Sequence, residues 1–331
     1  GSVAYTGNIT ARSLTKSGSG LLVFSGTQTY GPTRIEGGTL QFGNGGTGGK
    51  LGSGSLEVLS GATLSLSIAG VTSIGTLISG SGAFELRTGT VTLQGSNTYA
   101  GGTRIRGGTL EFVDGALGSG TLIASGSSTL RFAPGNATDI SARLAVQSGT
   151  RVTLDVGTNN IVFASPLAFA GSSALGKAGA GKLSLLGAGT YTGGVRLQEG
   201  ILEVANASAL GSAGSIAFLG GSLFYTAGVN TDFSNRFSAI PSGVLATVDV
   251  GTSTVVLASN ISGSGAFWKG GSGRLTLAGA NQFPGGVTLA QGSLVLSNDG
   301  FSGSAVGALG SGTFTILSGT FDSSVVSAVL N

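Results

Sequence analysis

Carboxylates are the first side chains to consider for chemistry, because a glycosidase acts through two carboxyl groups that face each other. The 331 residues include neither histidine nor cysteine, which excludes thiol catalysis, histidine general-base catalysis and the usual zinc sites. The acids are Glu36, Glu57, Glu85, Glu111, Asp114, Asp139, Asp155, Glu199, Glu203, Asp232, Asp249, Asp299 and Asp322. Glu111 and Glu203 share one repeat position. Asp155 and Asp249 share another, and acids that recur in this way are typical of a solvated face. We therefore predict no catalytic, cofactor-binding or metal-binding residue, and no cofactor.

One tetrapeptide, SLTK at Ser13 to Lys16, matches the S-x-x-K pattern of serine–lysine acyl transfer. Its lysine recurs as Lys177 and Lys269. Alanine replaces the serine in both cases, and the partner motifs S-D-N and K-T-G are absent from the sequence. We interpret the match as a coincidence.

Three arginines, Arg34, Arg104 and Arg196, share one repeat position, which Thr288 takes in the fourth copy. They could form a sparse basic ladder for an anionic glycan or lipopolysaccharide, or they could solvate an outward strand position. We favour solvation, because unrelated segments separate the strands that carry them. The net charge of +3 arises from 16 basic and 13 acidic residues without a basic run, so no nucleic-acid partner is predicted.

A glycine-rich phrase occurs four times: GTQTYGPTRIEGGTLQF, GSNTYAGGTRIRGGTLEF, GAGTYTGGVRLQEGILEV and GANQFPGGVTLAQGSLVL. The separations of its aromatic residues are 69, 92 and 92, which are three, four and four times 23. These aromatic residues are Tyr30, Tyr99, Tyr191 and Phe283. A fixed period in this range is typical of a solenoid, in which each turn buries its apolar face against the next. We predict turns of about 23 residues with these rings buried at a corner. A weaker phrase that begins Leu-Gly-Ser follows each copy.

The residues inside each copy alternate as strands do. Apolar pairs such as Leu22 and Phe24 flank a residue that faces outward, which is the period of two of a β-strand. A glycine precedes the last strand of each copy, where a residue without Cβ can take a corner conformation; these glycines are Gly38, Gly108, Gly200 and Gly292. Three short strands separated by glycine corners predict one triangular coil of a parallel β-helix. Trp268, the only tryptophan, is predicted to pack in the core.

The stretch KSGSGLLVFSGTQTYGPTRIEGGTLQF, Lys16 to Phe42, resembles the passenger-associated transport repeat of bacterial autotransporters. The second and third copies resemble it as well, whereas the fourth departs from it at Gln282-Phe283-Pro284 and the first lacks one residue after Tyr30. With the 23-residue period, the resemblance implies an all-β fold, a right-handed parallel β-helix of about 14 coils. We expect a single passenger fragment over residues 1–331, with repeat cores at 16–42, 84–112, 177–204 and 269–296.

The same resemblance implies a secreted protein of the type V pathway, exported through the periplasm and the outer membrane to the bacterial cell surface. Its own C-terminal β-barrel, which is not in this chain, would be one partner. The others would be a host-cell surface, a glycan or matrix component, or a second copy of the chain. We expect a non-enzymatic scaffold for adhesion or virulence.

Two alternatives stay open at this point. The chain could be a β-helix carbohydrate-active enzyme, either a polysaccharide lyase or a glycosidase, or it could be the carrier part of a secreted toxin. The last residues, with apolar Phe321, Val325 and Val329 and no polar cap, also lead us to expect that the array belongs to a longer rod.

Overall fold

The computed structural model describes residues 1–297 and 307–323. In this part of the chain, parallel strands stack as an all-β solenoid of about 15 turns, which confirms the predicted fold class. Its right-handedness stays a prediction, and Val325 and Val329 lie outside the described residues. The helical segments in the described part are three-residue 3-10 turns, and none has the length and apolarity needed to cross a membrane.

The chain divides into two compact units, the first formed by Gly1–Asn159 with Ala168–Ser173. Its elements are β1 (Ser2–Tyr5), β2 (Ile9–Thr10), β3 (Leu14–Lys16), β4 (Leu21–Phe24), β5 (Gln28–Thr29), β6 (Thr33–Ile35), β7 (Thr39–Phe42), β8 (Leu56–Val58), β9 (Thr63–Ile74), β10 (Ile78–Ser79), β11 (Ala83–Leu93), β12 (Thr103–Ile105), β13 (Gly108–Phe112), β14 (Leu122–Ala124), β15 (Ser128–Phe132), the 3-10 turn Ser141–Arg143, β16 (Leu144–Val146) and β17 (Arg151–Asp155).

The strands of the first unit pair in three main series. The first runs β1–β4–β7, continues through the first halves of β9 and β11, and ends β12–β14–β16. The second joins the second halves of β9 and β11 to β13, β15 and β17. The third is β3–β6–β8–β10. Since β9 and β11 belong to two series each, both strands turn a corner of the solenoid midway.

The second unit consists of Asn160–Leu167 and the described residues from Ala174 onward. Its elements are β18 (Asn160–Phe163), β19 (Ala174–Ala178), β20 (Lys182–Leu185), β21 (Val195–Leu197), β22 (Ile201–Val204), β23 (Ile216–Phe218), β24 (Ser222–Tyr225), the 3-10 turn Ser234–Arg236, β25 (Leu245–Asp249), β26 (Thr254–Leu257), β27 (Ala266–Gly270), β28 (Arg274–Leu277), β29 (Val287–Leu289), β30 (Ser293–Leu296), β31 (Phe314–Ile316) and β32 (Thr320–Ser323). The series are β18–β20–β22–β24–β25–β27–β29–β31, β26–β28–β30–β32 and β19–β21–β23.

The core of each unit is a set of in-register ladders of apolar side chains. Leu183, Leu202 and Leu223 are cross-strand partners in β20, β22 and β24, and all three are fully buried. Each such side chain contributes about 1.5–3 kcal/mol when it leaves water. Along each strand, the residue that follows the leucine points outward, as the alternation in the sequence predicts.

The strand pairing corrects our interpretation of a repeat copy as a single coil. In every copy, the first and the last strand are hydrogen-bonded neighbours rather than two sides of one turn. The paired residues are Leu22 with Leu40, Val91 with Leu110, Leu183 with Leu202 and Leu275 with Leu294. A copy is therefore one complete turn plus the strand that begins the next. The turn spans 18 residues in the first copy, which lacks one residue after Tyr30, and 19 in the others.

Turn length varies along the chain. Paired residues are 18 positions apart at Leu21 and Thr39 but 27 apart at Ser293 and Thr320. The predicted period of about 23 lies inside this range. Because the turns differ, equivalent strands of neighbouring copies in one unit belong to different series. In the first unit, for example, the first copy begins with β4 in the first series, and the second copy begins with the second half of β11 in the second series.

Candidate functional site

An aromatic ring is buried in the turn that each copy closes. Tyr30 is 3% exposed, and Tyr99, Tyr191 and Phe283 are fully buried. The Tyr99 hydroxyl lies 2.5 Å from Thr103 Oγ1, and the Tyr191 hydroxyl donates to the carbonyl of Ala209 at 3.0 Å. Burial raises the pKa of Tyr99 to about 12 and also raises the pKa of Tyr30 and Tyr191. These phenols stay neutral, so they pack rather than act as acids or bases.

A glycine of the following turn lies against each tyrosine ring. A Cβ on Gly52 would come 2.5 Å from Tyr30 Cδ2, and one on Gly118 would come 2.9 Å from Tyr99 Cδ2. Gly211 is placed in the same way, 2.9 Å from a ring carbon of the third copy's tyrosine. All three glycines belong to the Leu-Gly-Ser phrase. The two recurring phrases therefore interlock, since one supplies the ring and the other supplies the space for it.

The recurrent glycine at the entrance to the last strand of each copy, which is the first residue of β13 in the second copy, has a conformation and surroundings that admit no side chain. The values of φ are +63° at Gly38, +76° at Gly108, +63° at Gly200 and +74° at Gly292. A Cβ at any of these positions would collide with backbone atoms of the preceding turn. In this geometry a larger residue meets both backbone strain and a steric clash.

Buried lysines fix the corner inside three of the copies. Lys16 Nζ donates to the carbonyls of Ser17 and Gly18 at 2.7 Å each and to that of Gly37, one turn further on, at 2.9 Å. Lys177 donates in the same way to the carbonyls of Ala178, Gly179 and Glu199, and Lys269 donates to those of Gly271, Gly273 and Gln291. An ammonium group has three hydrogens to donate, so each of these lysines joins two turns with all of them.

This lysine role is one that the sequence reasoning missed. The signal is the pattern K-x-G-x-G, present as KSGSG, KAGAG and KGGSG in the first, third and fourth copies. Burial lowers the pKa of Lys269 to about 8, although the nearby Asp249 partly opposes the shift. The hydrogen bonds hold the Lys269 ammonium in the interior, where it cannot act as a nucleophile.

The second copy has a different corner. Leu86 lies opposite Ile105, as Lys16 lies opposite Ile35, so a leucine takes the position of the buried lysine. On the outer side of the same strand, Glu85 is almost buried and accepts hydrogen bonds from Arg87 Nη1 at 2.9 Å and from Arg106 Nε at 2.7 Å. Burial alone would raise the pKa of Glu85, but the bonds from Arg106 and Arg87 outweigh it and lower that pKa.

The arginines at the shared repeat position do not form a ladder in the first unit. Arg34 lies in β6, in the third series, whereas Arg104 lies in β12, in the first series. Arg34 is paired with Glu36 at 3.2 Å and with Glu57. No hydrogen bond or ion pair engages the exposed Arg104 guanidinium within residues 1–297 and 307–323. In the second unit, Arg196 is exposed on β21 between small cross-strand neighbours.

Trp268 does not pack in the core as we predicted. It lies in β27 between the fully buried Phe267 and Lys269, and it is itself only half-buried on the outer side of the strand. Its cross-strand partners there are Thr247 and Thr288. The alternation of the strand gives the inward positions to the neighbours of the tryptophan, and a lysine that points inward makes this alternation hard to recognise from hydropathy.

The acids that recur at equivalent positions have structural partners. Asp155 Oδ1 accepts the backbone N–H of Gly157 at 3.0 Å, and Asp249 Oδ1 accepts that of Gly251 at 2.8 Å, so both cap a turn. Asp155 also pairs with Arg131 at 2.8 Å, a hydrogen bond that raises the pKa of the guanidinium.

The other recurrent pair, Glu111 and Glu203, is engaged as well, by Arg131 at 3.7 Å and by Lys182 at 2.7 Å respectively. Among the described residues, no three carboxylates converge in an arrangement that could hold a metal ion.

Comparison with known proteins agrees with this repeat geometry. The family described as the passenger-associated transport repeat matches residues 14–42, 88–112, 175–204 and 269–296. These ranges overlap all four copies, and each contains the ring and the glycine described above. The resemblance inferred from Lys16 to Phe42 is confirmed.

The chain is also similar to an adhesin, the BmaC autotransporter of Brucella suis biovar 1 (strain 1330). The two are 36% identical over 155 residues, which covers 45% of this chain and 4% of the relative. The chain therefore spans a small fraction of the length of this curated protein. No solved structure matches the chain significantly. The repeats and this similarity support an autotransporter passenger domain.

Proposed function

We propose that the chain is part of the surface-displayed passenger of a Gram-negative autotransporter, in which it acts as a scaffold for adhesion or host interaction. The observation that carries this proposal is the set of four passenger-associated transport repeats, each of which closes one turn of the solenoid. The similarity to a protein named as an adhesin supports the adhesive role. Residues 1–331 would form one passenger fragment, exported through the periplasm and outer membrane by a C-terminal barrel.

The repeats suit a chain that folds after export. Each copy brings together strands only 18 or 19 residues apart, so a turn closes without contacts to distant parts of the chain. In a one-dimensional array, such a turn can start folding and the neighbouring turns can add to it. We propose that the copies nucleate the solenoid outside the cell and that the longer, less regular turns between them are completed afterwards.

The partners would be a host-cell surface, a glycan or matrix component, or a second copy of the chain. The charge arrangement favours binding over catalysis. Glu111 and Asp155 both contact Arg131, and Glu36 and Glu57 both contact Arg34. In both clusters an arginine lies between the carboxylates and pairs with them, whereas a glycosidase needs two carboxyl groups that flank the bond it cleaves. We therefore propose a non-enzymatic role.

Surface display and adhesion test the proposal together. Antibodies raised against residues 1–331 should label intact bacteria that express the complete protein, and external protease should remove the label while a periplasmic marker survives. The same cells should adhere to host cells or matrix more than cells that lack the gene. Labelling that requires permeabilised cells would contradict the proposal, as would display without any difference in adhesion.

A further inference from the structure

A depression of about 260 Å³ lies on the outer surface of the first unit, where β9, β11, β12 and the start of β14 run side by side. Polar groups line it at Thr63, Glu85, Arg104 and Thr121, and Ile123 supplies an apolar side. The floor includes small residues, Ala83, Gly101 and Gly102, which leave the space open. Its volume is just below the range of about 300–1,000 Å³ that holds drug-sized ligands, so it suits one small ring or charged group.

The charges around the depression do not balance. Glu85 and Arg104 are direct cross-strand partners, yet the carboxylate oxygens are already engaged by Arg87 and Arg106. On the other side of Arg104, the cross-strand partner is Ile123. Three arginines thus accompany one acid, and the guanidinium that faces the depression is the one without a partner in the described part of the chain.

The first copy offers the contrasting case. Arg34 has the same position in its copy as Arg104, but it is held between Glu36 and Glu57. That cluster has two acids for one arginine, so it repels anions. The two copies therefore differ in the net charge that surrounds the equivalent arginine.

We infer that this depression binds the anionic group, a carboxylate or a sulfate, of an acidic polysaccharide. The Arg104 guanidinium offers a planar fork of donors that matches such a group. The hydroxyls of Thr63 and Thr121 are placed to bond sugar hydroxyls, and Ile123 contacts the apolar side of the ring. Because the depression opens on the outside of a sheet, a polymer can run past it and place one residue inside. This binding rests on the proposed function, since it presumes a surface-displayed passenger, and acidic polysaccharides are the partner class that it adds.

Binding of defined oligosaccharides to the purified 331-residue chain tests the inference. The probes are a hyaluronan oligosaccharide, which carries carboxylates alone, a heparin oligosaccharide, which adds sulfates, and neutral dextran. Calorimetric titration should show binding of at least one acidic probe and none of dextran, with affinity that falls as salt increases. Arg104→Gln should weaken binding about tenfold or more, since it removes a charge-assisted contact. Arg104→Lys should lose part of the affinity, because a lysine keeps the charge but not the fork.

The matched control is Arg34→Gln, which removes the same charge at the equivalent position and should leave binding unchanged. Thermal unfolding of Arg104→Gln should match that of the wild-type chain, because no described residue forms a hydrogen bond or ion pair with the guanidinium. Equal binding by wild type and Arg104→Gln would overturn the inference, as would an equal loss in both glutamine variants or the absence of binding to both acidic probes. None of these outcomes bears on surface labelling of bacteria, so the inference and the proposed function can fail separately.

Discussion

The second and fourth copies close turns of the same length with different side chains at the corner. Both pair strands 19 residues apart. In the fourth copy, Lys269 is fully buried and bonds three carbonyls. In the second copy, Leu86 is fully buried at the corresponding position, and the ionic contacts lie outside, around Glu85. The lysine is therefore not needed to close a turn.

The corner itself explains the difference. The fourth copy has four residues between its lysine and the next strand, GGSG, with Gly271 at φ +78°. In this corner the carbonyls of Gly271 and Gly273 are turned toward the lysine. The second copy has a shorter corner, and β11 continues through it with irregular register around Thr88. The buried ammonium group thus supplies hydrogen-bond donors to carbonyls that point inward. Leaving such buried carbonyls without a donor would destabilise the fold.

The largest effect is expected when the ammonium group of Lys269 is removed and the volume of the side chain is kept. Lys269→Met should lower the free energy of unfolding by about 3–5 kcal/mol, because the carbonyls of Gly271, Gly273 and Gln291 lose their donor inside the protein. Leu86→Met is the matched control and should cost less than about 1.5 kcal/mol. Urea denaturation measures both, and similar costs for the two variants would show that the lysine bonds are dispensable.

The pH dependence of stability sharpens the comparison at alkaline pH. The pKa of Lys269 is about 8 in the folded protein, below the ordinary value of 10.5, so between these values the unfolded chain binds more protons. Stability therefore rises with pH in that window, and the neutral amine still donates two hydrogens. Urea denaturation from pH 7.5 to 10 should show a rise for wild type relative to Lys269→Met. Parallel stability profiles for wild type and Lys269→Met would contradict a lowered pKa of Lys269.

The second copy should show its own pH signature at acid pH. The pKa of Glu85 is lowered in the folded protein, so its contribution is present above the ordinary value of 4.5 and is lost as pH falls through the folded value. Glu85→Gln should cost about 1–2 kcal/mol at pH 7, since the amide has only one acceptor oxygen and therefore loses one of the two bonds and weakens the other. The gap between wild type and the variant should shrink as pH is lowered toward 3. A gap that stays constant would show that packing, and not charge, accounts for the cost.

The solenoid and most of its interior could be predicted because they follow from local pattern. Alternation identifies inward residues such as Leu202, and a recurrent glycine such as Gly200 identifies a corner. The extent of a turn could not be predicted in this way, since register depends on how many residues each corner holds. A period averaged over unequal turns conceals the pairing of Leu183 with Leu202, and with it the fact that a copy exceeds one turn.

The charged residues were the least predictable part. Hydropathy places a lysine outside, and only the three carbonyls around Lys269 explain why it lies inside. The sequence also does not show that Arg104 lacks a partner among the described residues, because this depends on the pairing of its cross-strand neighbour Glu85 with Arg87 and Arg106. A repeat position therefore predicts where a side chain points, while its neighbours decide what it can bind.

The smallest predicted effect compares the aromatic rings of the same two copies. The fourth copy has Phe283, which is fully buried without a hydroxyl, whereas Tyr99 in the second copy pairs with Thr103, itself 1% exposed. Tyr99→Phe should therefore cost about 1 kcal/mol, because the ring stays packed and the Thr103 hydroxyl loses its buried partner. Adding Thr103→Val should recover part of this cost, since it removes the hydroxyl left behind. Urea denaturation of the single and double variants measures both costs. If the double variant is less stable than Tyr99→Phe, Thr103 has a role apart from the tyrosine, and the two copies differ in more than one hydrogen bond.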